Sequence, residues 1–157
     1  MRMSNRMAIA LYQPDIPGNT GTIIRLAACL GCSVEIIEPA GFDLTDRALK
    51  RAGMDYVERA ALNRHLNFET FDAWRESEQR RLVLLTTAAD EDYADCEFRA
   101  DDILLFGRES AGVPKDVHER ADIRLTIPMQ AGVRSLNVAM ASAIVCGEAM
   151  RQLRHAR

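Results

Sequence analysis

The stretch Ile127–Glu148, IPMQAGVRSLNVAMASAIVCGE, decides how the rest of the chain reads. From Ser135 onward it holds no charged residue until Glu148. A helix without a charged face is buried on most sides. Ala139, Ala141, Ser142, Ala143 and Gly147 are small enough to let neighbouring backbones approach closely. Ser135 and Asn137 stand where capping hydroxyls and amides belong. Leu136–Arg154 therefore reads as a long final helix, entered from a strand at Ile123–Ile127 through a Pro-Met loop. A helix cap alone leaves the Pro-Met and Arg-Ser-Leu-Asn flanks unexplained.

Upstream, apolar runs alternate with helical patterns. Met7–Tyr12, Ser33–Ile37, Leu82–Thr86 and Ile103–Phe106 read as strands. Thr20–Leu30 reads as a helix capped by Asn19 or Thr20, with Gly31 after its end. Leu44–Ala52, Phe68–Glu78 and Pro114–Arg120 read as further helices. Continuously apolar strands separated by helices imply an α/β fold, a Rossmann-like mostly parallel sheet with helices on both faces. In such sheets ligands bind beyond the carboxyl ends of strands. The loops to inspect follow Tyr12, Thr86, Phe106 and Ile127.

The 157 residues suit one domain, 1–157. Apolar residues make up 48% and charged ones 27%, a soluble globular profile. No apolar run approaches the ~20 residues of a membrane span, and the N-terminus lacks a secretory pattern. A cytoplasmic location is expected. Net charge is −3, which disfavours a generic nucleic-acid coat. Its distribution is uneven: +1 over residues 1–64, −8 over 65–122 and +4 over 123–157. Of the 20 cations, 18 are Arg, the better bidentate partner for phosphate. Cys29 and Cys32 form a C-x-x-C, but Gly31 puts them at the negative end of a helix, which disfavours a reactive thiolate. Ordinary buried cysteines are expected. His65, His118 and His155 show no metal-ligand spacing, so no metal is expected.

The first loop, Gln13-Pro-Asp-Ile-Pro-Gly-Asn-Thr-Gly21, is stiffened by two prolines and leads to Arg25. Asn19 and Arg25 are both expected to face the strand ends. The third loop, Gly107-Arg-Glu-Ser-Ala-Gly112, sets a carboxylate between two glycines directly after an apolar strand. It is neither a dinucleotide fingerprint nor a Walker loop.

Three blocks in this order resemble the SpoU/TrmH branch of the SPOUT RNA methyltransferases: Asn19-Thr-Gly-Thr-Ile-Ile-Arg25, Leu104-Leu-Phe-Gly-Arg-Glu-Ser-Ala-Gly112, and Ile127-Pro-Met with Ser135-Leu-Asn137-Val. Glu38–Phe42 and Arg51–Tyr56 resemble one subgroup further, the tRNA (cytidine(34)-2'-O)-methyltransferases. Thr22 departs from that subgroup, which often has Asn there. The resemblance covers nearly the whole chain.

It implies a C-terminal trefoil knot, one of the few exceptions to unknotted folds. It also implies S-adenosyl-L-methionine as methyl donor, a homodimer built on the first and last helices, and a tRNA anticodon stem-loop as partner. By position, Leu85, Gly107, Ile127, Ser135 and Leu136 would hold the donor, and Arg25, Asn19, Glu109, Ser135 and Asn137 would be catalytic. Asn19 and Asn137 would orient the ribose or Arg25. Glu109 would hold Arg25 or support its own loop, and Ser135 would cap the helix and touch the donor. A guanidinium is effectively always protonated, so Arg25 is implausible as a resting base. It either stabilises alkoxide charge while phosphate or water takes the proton, or its pKa falls on binding. Arg2, Arg6, Arg47, Lys50, Arg51, Arg134, Arg151 and Arg154 are candidates to steer phosphate. Competing readings are the same chemistry on rRNA or another tRNA position, an NAD-binding oxidoreductase, and a non-catalytic RNA-binding module.

Overall fold

The structure, a computed structural model, describes residues 6–45, 47–48, 61–133 and 135–155. The elements run β1 (Ala8–Tyr12), α1 (Pro17–Leu30), β2 (Ser33–Ile37), β3 (Ala61–His65), α2 (Phe68–Ser77), β4 (Leu82–Leu85), β5 (Glu91–Asp92), β6 (Ile103–Phe106), α3 (Lys115–Arg120), β7 (Ile123–Thr126) and α4 (Val138–His155). A short 3-10 turn, Tyr93–Asp95, follows β5. The basic helix expected at Leu44–Ala52, and the Arg51–Tyr56 block, fall largely outside the described residues.

Seven strands form one sheet in the order β3-β2-β1-β6-β4-β7-β5, and every pairing between them is parallel. Alternation along β1 shows how both faces are covered. Ile9 and Leu11 point into a core with Ile23, Ile24 and Ala27 of α1 and Ala139, Val145, Cys146 and Ala149 of α4. Ala8, Ala10 and Tyr12 point into a second core with Phe68 and Phe71 of α2 and Val117 of α3. A strand buried on both faces must be continuously apolar, which is why β1, β4 and β6 were readable. Each Leu or Ile fully buried this way contributes about 1.5–3 kcal/mol. β3 (ALNRH) was missed because it is an edge strand, polar and only partly buried. β5 spans two acidic residues and carries no periodicity.

Helix α1 begins at Pro17, a turn earlier than expected, with Ile16 at the N-cap and no side-chain cap. Proline at the first position has no N–H to satisfy, so the helix starts without the capping amide. Asn19 is released from that role, and Thr20 is fully buried. Gly31 ends the helix at φ 75°, as its position implied. The C-x-x-C splits across this end: Cys32 is buried and Cys29 exposed, so the expectation of four buried thiols fails at Cys29. Burial pushes the Cys32 thiol up to about 11, away from the thiolate that redox chemistry needs.

Two local devices fix the two ends of the central strands. Asp102, fully buried just before β6, accepts from Arg81 Nε at 2.9 Å, Arg81 Nη2 at 2.7 Å and Arg99 N at 2.9 Å. Its carbonyl accepts from Ala8 N at 3.1 Å, so one residue fixes where β1, β4 and β6 begin. At the other end of β6, residues 107–112 close on themselves. Arg108 N donates to Gly112 O at 3.0 Å and Gly112 N to Arg108 O at 2.9 Å. A Cβ on Gly107 would lie 2.6 Å from the Gly112 carbonyl carbon, and Gly112 sits at φ 65°.

Asp102→Ala would strand the Arg81 guanidinium, a loss of about 3–5 kcal/mol for a broken buried pair. Urea unfolding followed by Trp74 fluorescence should show a clearly lower midpoint; an unchanged midpoint would contradict the locking role. Gly107→Ala overpacks backbone against backbone and should cost about 1–3 kcal/mol, seen as a Tm several degrees lower. An unchanged Tm would mean the loop has room to spare.

Candidate active site

β6, β4 and β7 are neighbours, so their carboxyl ends open side by side. A cavity of about 370 Å³ lies over them, within the range of small-molecule sites. Leu85 and Thr86 line it after β4, Gly107–Glu109 after β6, and Ile127 and Met129 after β7. Residues Ser135–Val138 close one side, and Ile16 and Asn19 close another. Its lining is aliphatic at Leu84, Leu125 and Leu136 and polar at Asn19, Arg108, Glu109, Ser135 and Asn137. Four loops far apart in sequence meet here because the parallel sheet puts their strand ends together.

A chain of hydrogen-bonded side chains joins several of these polar residues. Asn137 Oδ1 caps α4, accepting from Ala139 N at 2.8 Å and Met140 N at 3.3 Å. Its Nδ2 donates to Asn19 Oδ1 at 2.9 Å. Asn19 Nδ2 donates to Glu109 Oε1 at 3.4 Å, and the backbone N–H of Asp15 donates to Glu109 Oε2 at 3.2 Å. Ser110 Oγ donates to Asp15 Oδ2 at 2.6 Å, with Arg108 Nη2 3.7 Å from the same oxygen. Asp15 Oδ1 is buried with no hydrogen-bond donor among the described residues.

The two carboxyls polarise each other. Burial pushes Glu109 above the ordinary carboxylate range, and the hydrogen bond with Asp15 adds to the rise. Asp15 moves down, first through that hydrogen bond and then through Ser110.

All five residues expected to hold the donor, Leu85, Gly107, Ile127, Ser135 and Leu136, line the cavity. Asn19, Glu109, Ser135 and Asn137 do as well. Arg25 does not: it is exposed on α1 and absent from the lining. Six residues at about 100° each set it roughly 120° round the helix from Asn19. The two were expected to face the strand ends together, and helical periodicity sets them on different sides of α1. The α4 cap is Asn137 rather than Ser135, because the helix starts at Val138. Thr22 turns back to the Gly18 carbonyl at 3.0 Å on the exposed side. Asp15 and Arg108 were missed, although both stood in the quoted loops.

Of the cations expected to steer phosphate, Arg2, Lys50, Arg51 and Arg134 lie outside the described residues. Arg151 is committed to Glu148 at 2.9 and 2.8 Å, and with Gln152 it holds that carboxyl at about 2. Arg47 and Arg154 are exposed, and Arg6 is half-buried. Among the described residues no cluster of three His, Cys, Asp or Glu has the arrangement of a metal site. No helix of the described residues is long and apolar enough to cross a membrane.

Relatives share this architecture. The tRNA (cytidine(34)-2'-O)-methyltransferase of Beijerinckia indica subsp. indica is 59% identical over 145 residues, 92% of this chain and 91% of that protein. The Escherichia coli (strain K12) protein of the same name is 41% identical over 148 residues, 92% of each. A structure described as giving insights into the 2-OH methylation of C/U34 on tRNA superposes with a TM-score of 0.89 at 39% identity, covering 98% of this chain and 99% of that one. An AdoMet-bound rRNA methyltransferase from Sinorhizobium meliloti superposes at 0.85 and 31% identity, covering 94% of this chain and 57% of that one. Residues 6–147 match the SpoU rRNA Methylase family, and the chain belongs to that family.

Proposed function

We propose that this protein is a tRNA 2'-O-methyltransferase that moves the methyl group of S-adenosyl-L-methionine to the ribose 2'-hydroxyl of wobble nucleotide 34. Cytidine and 5-carboxymethylaminomethyluridine in tRNA(Leu)-type anticodon loops are the substrates of this reading. The observation that carries it is the meeting of Asn137, Asn19 and Glu109 at the strand-end cavity, in a chain 59% identical to an enzyme of that name.

The cavity suits the donor on its own terms. Its volume and aliphatic lining residues fit an adenosine-sized group, and its polar ones fit a charged sulfonium and amino-acid tail. When bound, the donor supplies an electrophilic methyl on sulfonium. Leu85, Gly107, Ile127, Ser135 and Leu136 are assigned to hold it, and Asn19 and Asn137 to orient the ribose. Arg25, outside the cavity on α1, is assigned to the RNA side, where its permanent charge meets phosphate or the developing alkoxide. Unpaired loop bases splay out and offer such contacts, as an anticodon stem-loop does.

The reading includes a homodimer through the outward faces of α1 and α4. Met140, 58% exposed, and the exposed Ala143 and Gly147 support it, since they form an uncharged stripe on a helix packed against α1. It also includes a single domain, a cytoplasmic location where tRNA is found, and a threaded C-terminal segment.

Purified protein with S-adenosyl-L-methionine and tRNA(Leu) transcripts should yield 2'-O-methylcytidine at position 34 by nucleoside mass spectrometry. Methylation elsewhere with an intact C34 would favour the rRNA or other-position reading, and binding of NAD in place of the donor would sink the methyltransferase altogether. Arg25→Lys should lower kcat/KM at least tenfold. Near-normal turnover with unchanged tRNA binding would remove any specific guanidinium role.

A further inference from the structure

The arginines that tie this fold together use their Nε–H. Arg75, Arg80, Arg81, Arg120, Arg124 and Arg151 each donate it to a carboxylate or carbonyl oxygen at 2.7–2.9 Å. Arg108 does not. Its Nε is buried with no hydrogen-bond acceptor among the described residues. Its Nη2 stands 3.7 Å from Asp15 Oδ2, beyond hydrogen-bond distance, and Ser110 Oγ already donates to that oxygen at 2.6 Å. A buried donor without an acceptor is costly, and here it points to a partner outside the chain.

The surroundings narrow the chemistry of that partner. Arg108 lies in the closed 107–112 loop and lines the strand-end cavity. Among the described lining residues it is the one cation, and Glu109 is the one anion. S-adenosyl-L-methionine brings a sulfonium, an ammonium and a carboxylate. A guanidinium repels the first two and attracts the third. Its Nε–H and one Nη–H form a planar edge that grips a carboxylate with two parallel bonds. An RNA phosphate offers similar chemistry. Two observations favour the donor: Arg108 shares its cavity with the residues assigned to the donor, next to Gly107, and its unsatisfied atom is buried rather than turned to solvent.

We propose that Arg108 binds the carboxylate of the methyl donor's amino-acid tail and so selects the intact donor. This rests on the methyltransferase reading above. The side chain is 38% exposed and has room to turn. A turn that presents the Nε–Nη edge to the carboxylate satisfies the Nε–H and leaves Asp15 to Ser110. The backbone that carries it is fixed, because the paired 108–112 bonds and the close approach of Gly107 to Gly112 hold the loop. Gripping the carboxylate restricts the donor's flexible tail, and methyl transfer depends on orientation.

Calorimetric titration of the full-length protein, without RNA, tests this with S-adenosyl-L-methionine and its decarboxylated analogue, which differ in the carboxylate alone. The unsubstituted protein should bind the intact donor about tenfold or more tightly than the analogue, as one charge-assisted bond implies. Arg108→Gln should lose that preference, binding the donor about tenfold more weakly and the analogue as before. Unchanged binding of the analogue also shows that the variant is folded. Arg108→Lys, which keeps the charge without the planar fork, should recover part of the loss. Equal weakening of both ligands would overturn the proposal, since the side chain would then be supporting the loop. Unchanged donor affinity in Arg108→Gln with a raised KM for tRNA would overturn it in favour of an RNA phosphate. An unsubstituted protein that binds neither ligand would overturn the methyltransferase reading itself, whatever the variant does.

Discussion

The side chain of Asn137 bonds in two directions. Its carbonyl oxygen caps α4, and its amide donates to Asn19 on α1, 118 residues earlier. The cap satisfies N–H groups that the helix leaves without intrahelical partners. The second bond ties the start of the last helix to the first helix. From Asn19 the chain passes to Glu109 and then to Asp15. Three segments that share no local sequence are held by one polar thread, and the cavity lies along it.

That thread forms only if the strand ends are already together. Parallel pairing puts the ends of β6, β4 and β7 in one row, and both faces of the sheet must be covered to keep them there. The tight 107–112 loop then lifts Glu109 toward α1 rather than into solvent. The long Asn19–Glu109 and Asp15–Glu109 bonds, 3.4 and 3.2 Å, mark a site whose partners are positioned by the backbone and are not themselves strong clamps.

The α/β class was legible because doubly buried strands must be apolar, and β1, β4 and β6 are. The site loops were legible from their place after those strands and from family resemblance. β3 was not, because an edge strand of polar residues has no such signature. Pro17 was read as stiffening a loop when it begins a helix, and that error moved the cap from Ile16 to Asn19. Asp15 stood in a quoted loop yet drew no attention, because its meaning depends on a carboxylate 94 residues away. Arg25 sits in a recognisable block, but a motif does not say which face of the helix a side chain takes.

The central claim is that Asn137 and Asn19 act as one unit in building the site, and a double-mutant cycle tests it most directly. Asn19→Ala, Asn137→Ala and the double variant would be compared by kcat/KM for methyl transfer to tRNA. Residues in one hydrogen-bonded network couple by about 0.5–3 kcal/mol, so the double variant should lose far less than the sum of the two single losses. Strictly additive losses would mean that the two asparagines serve the site separately, and the thread from α4 to Glu109 would not be what assembles it.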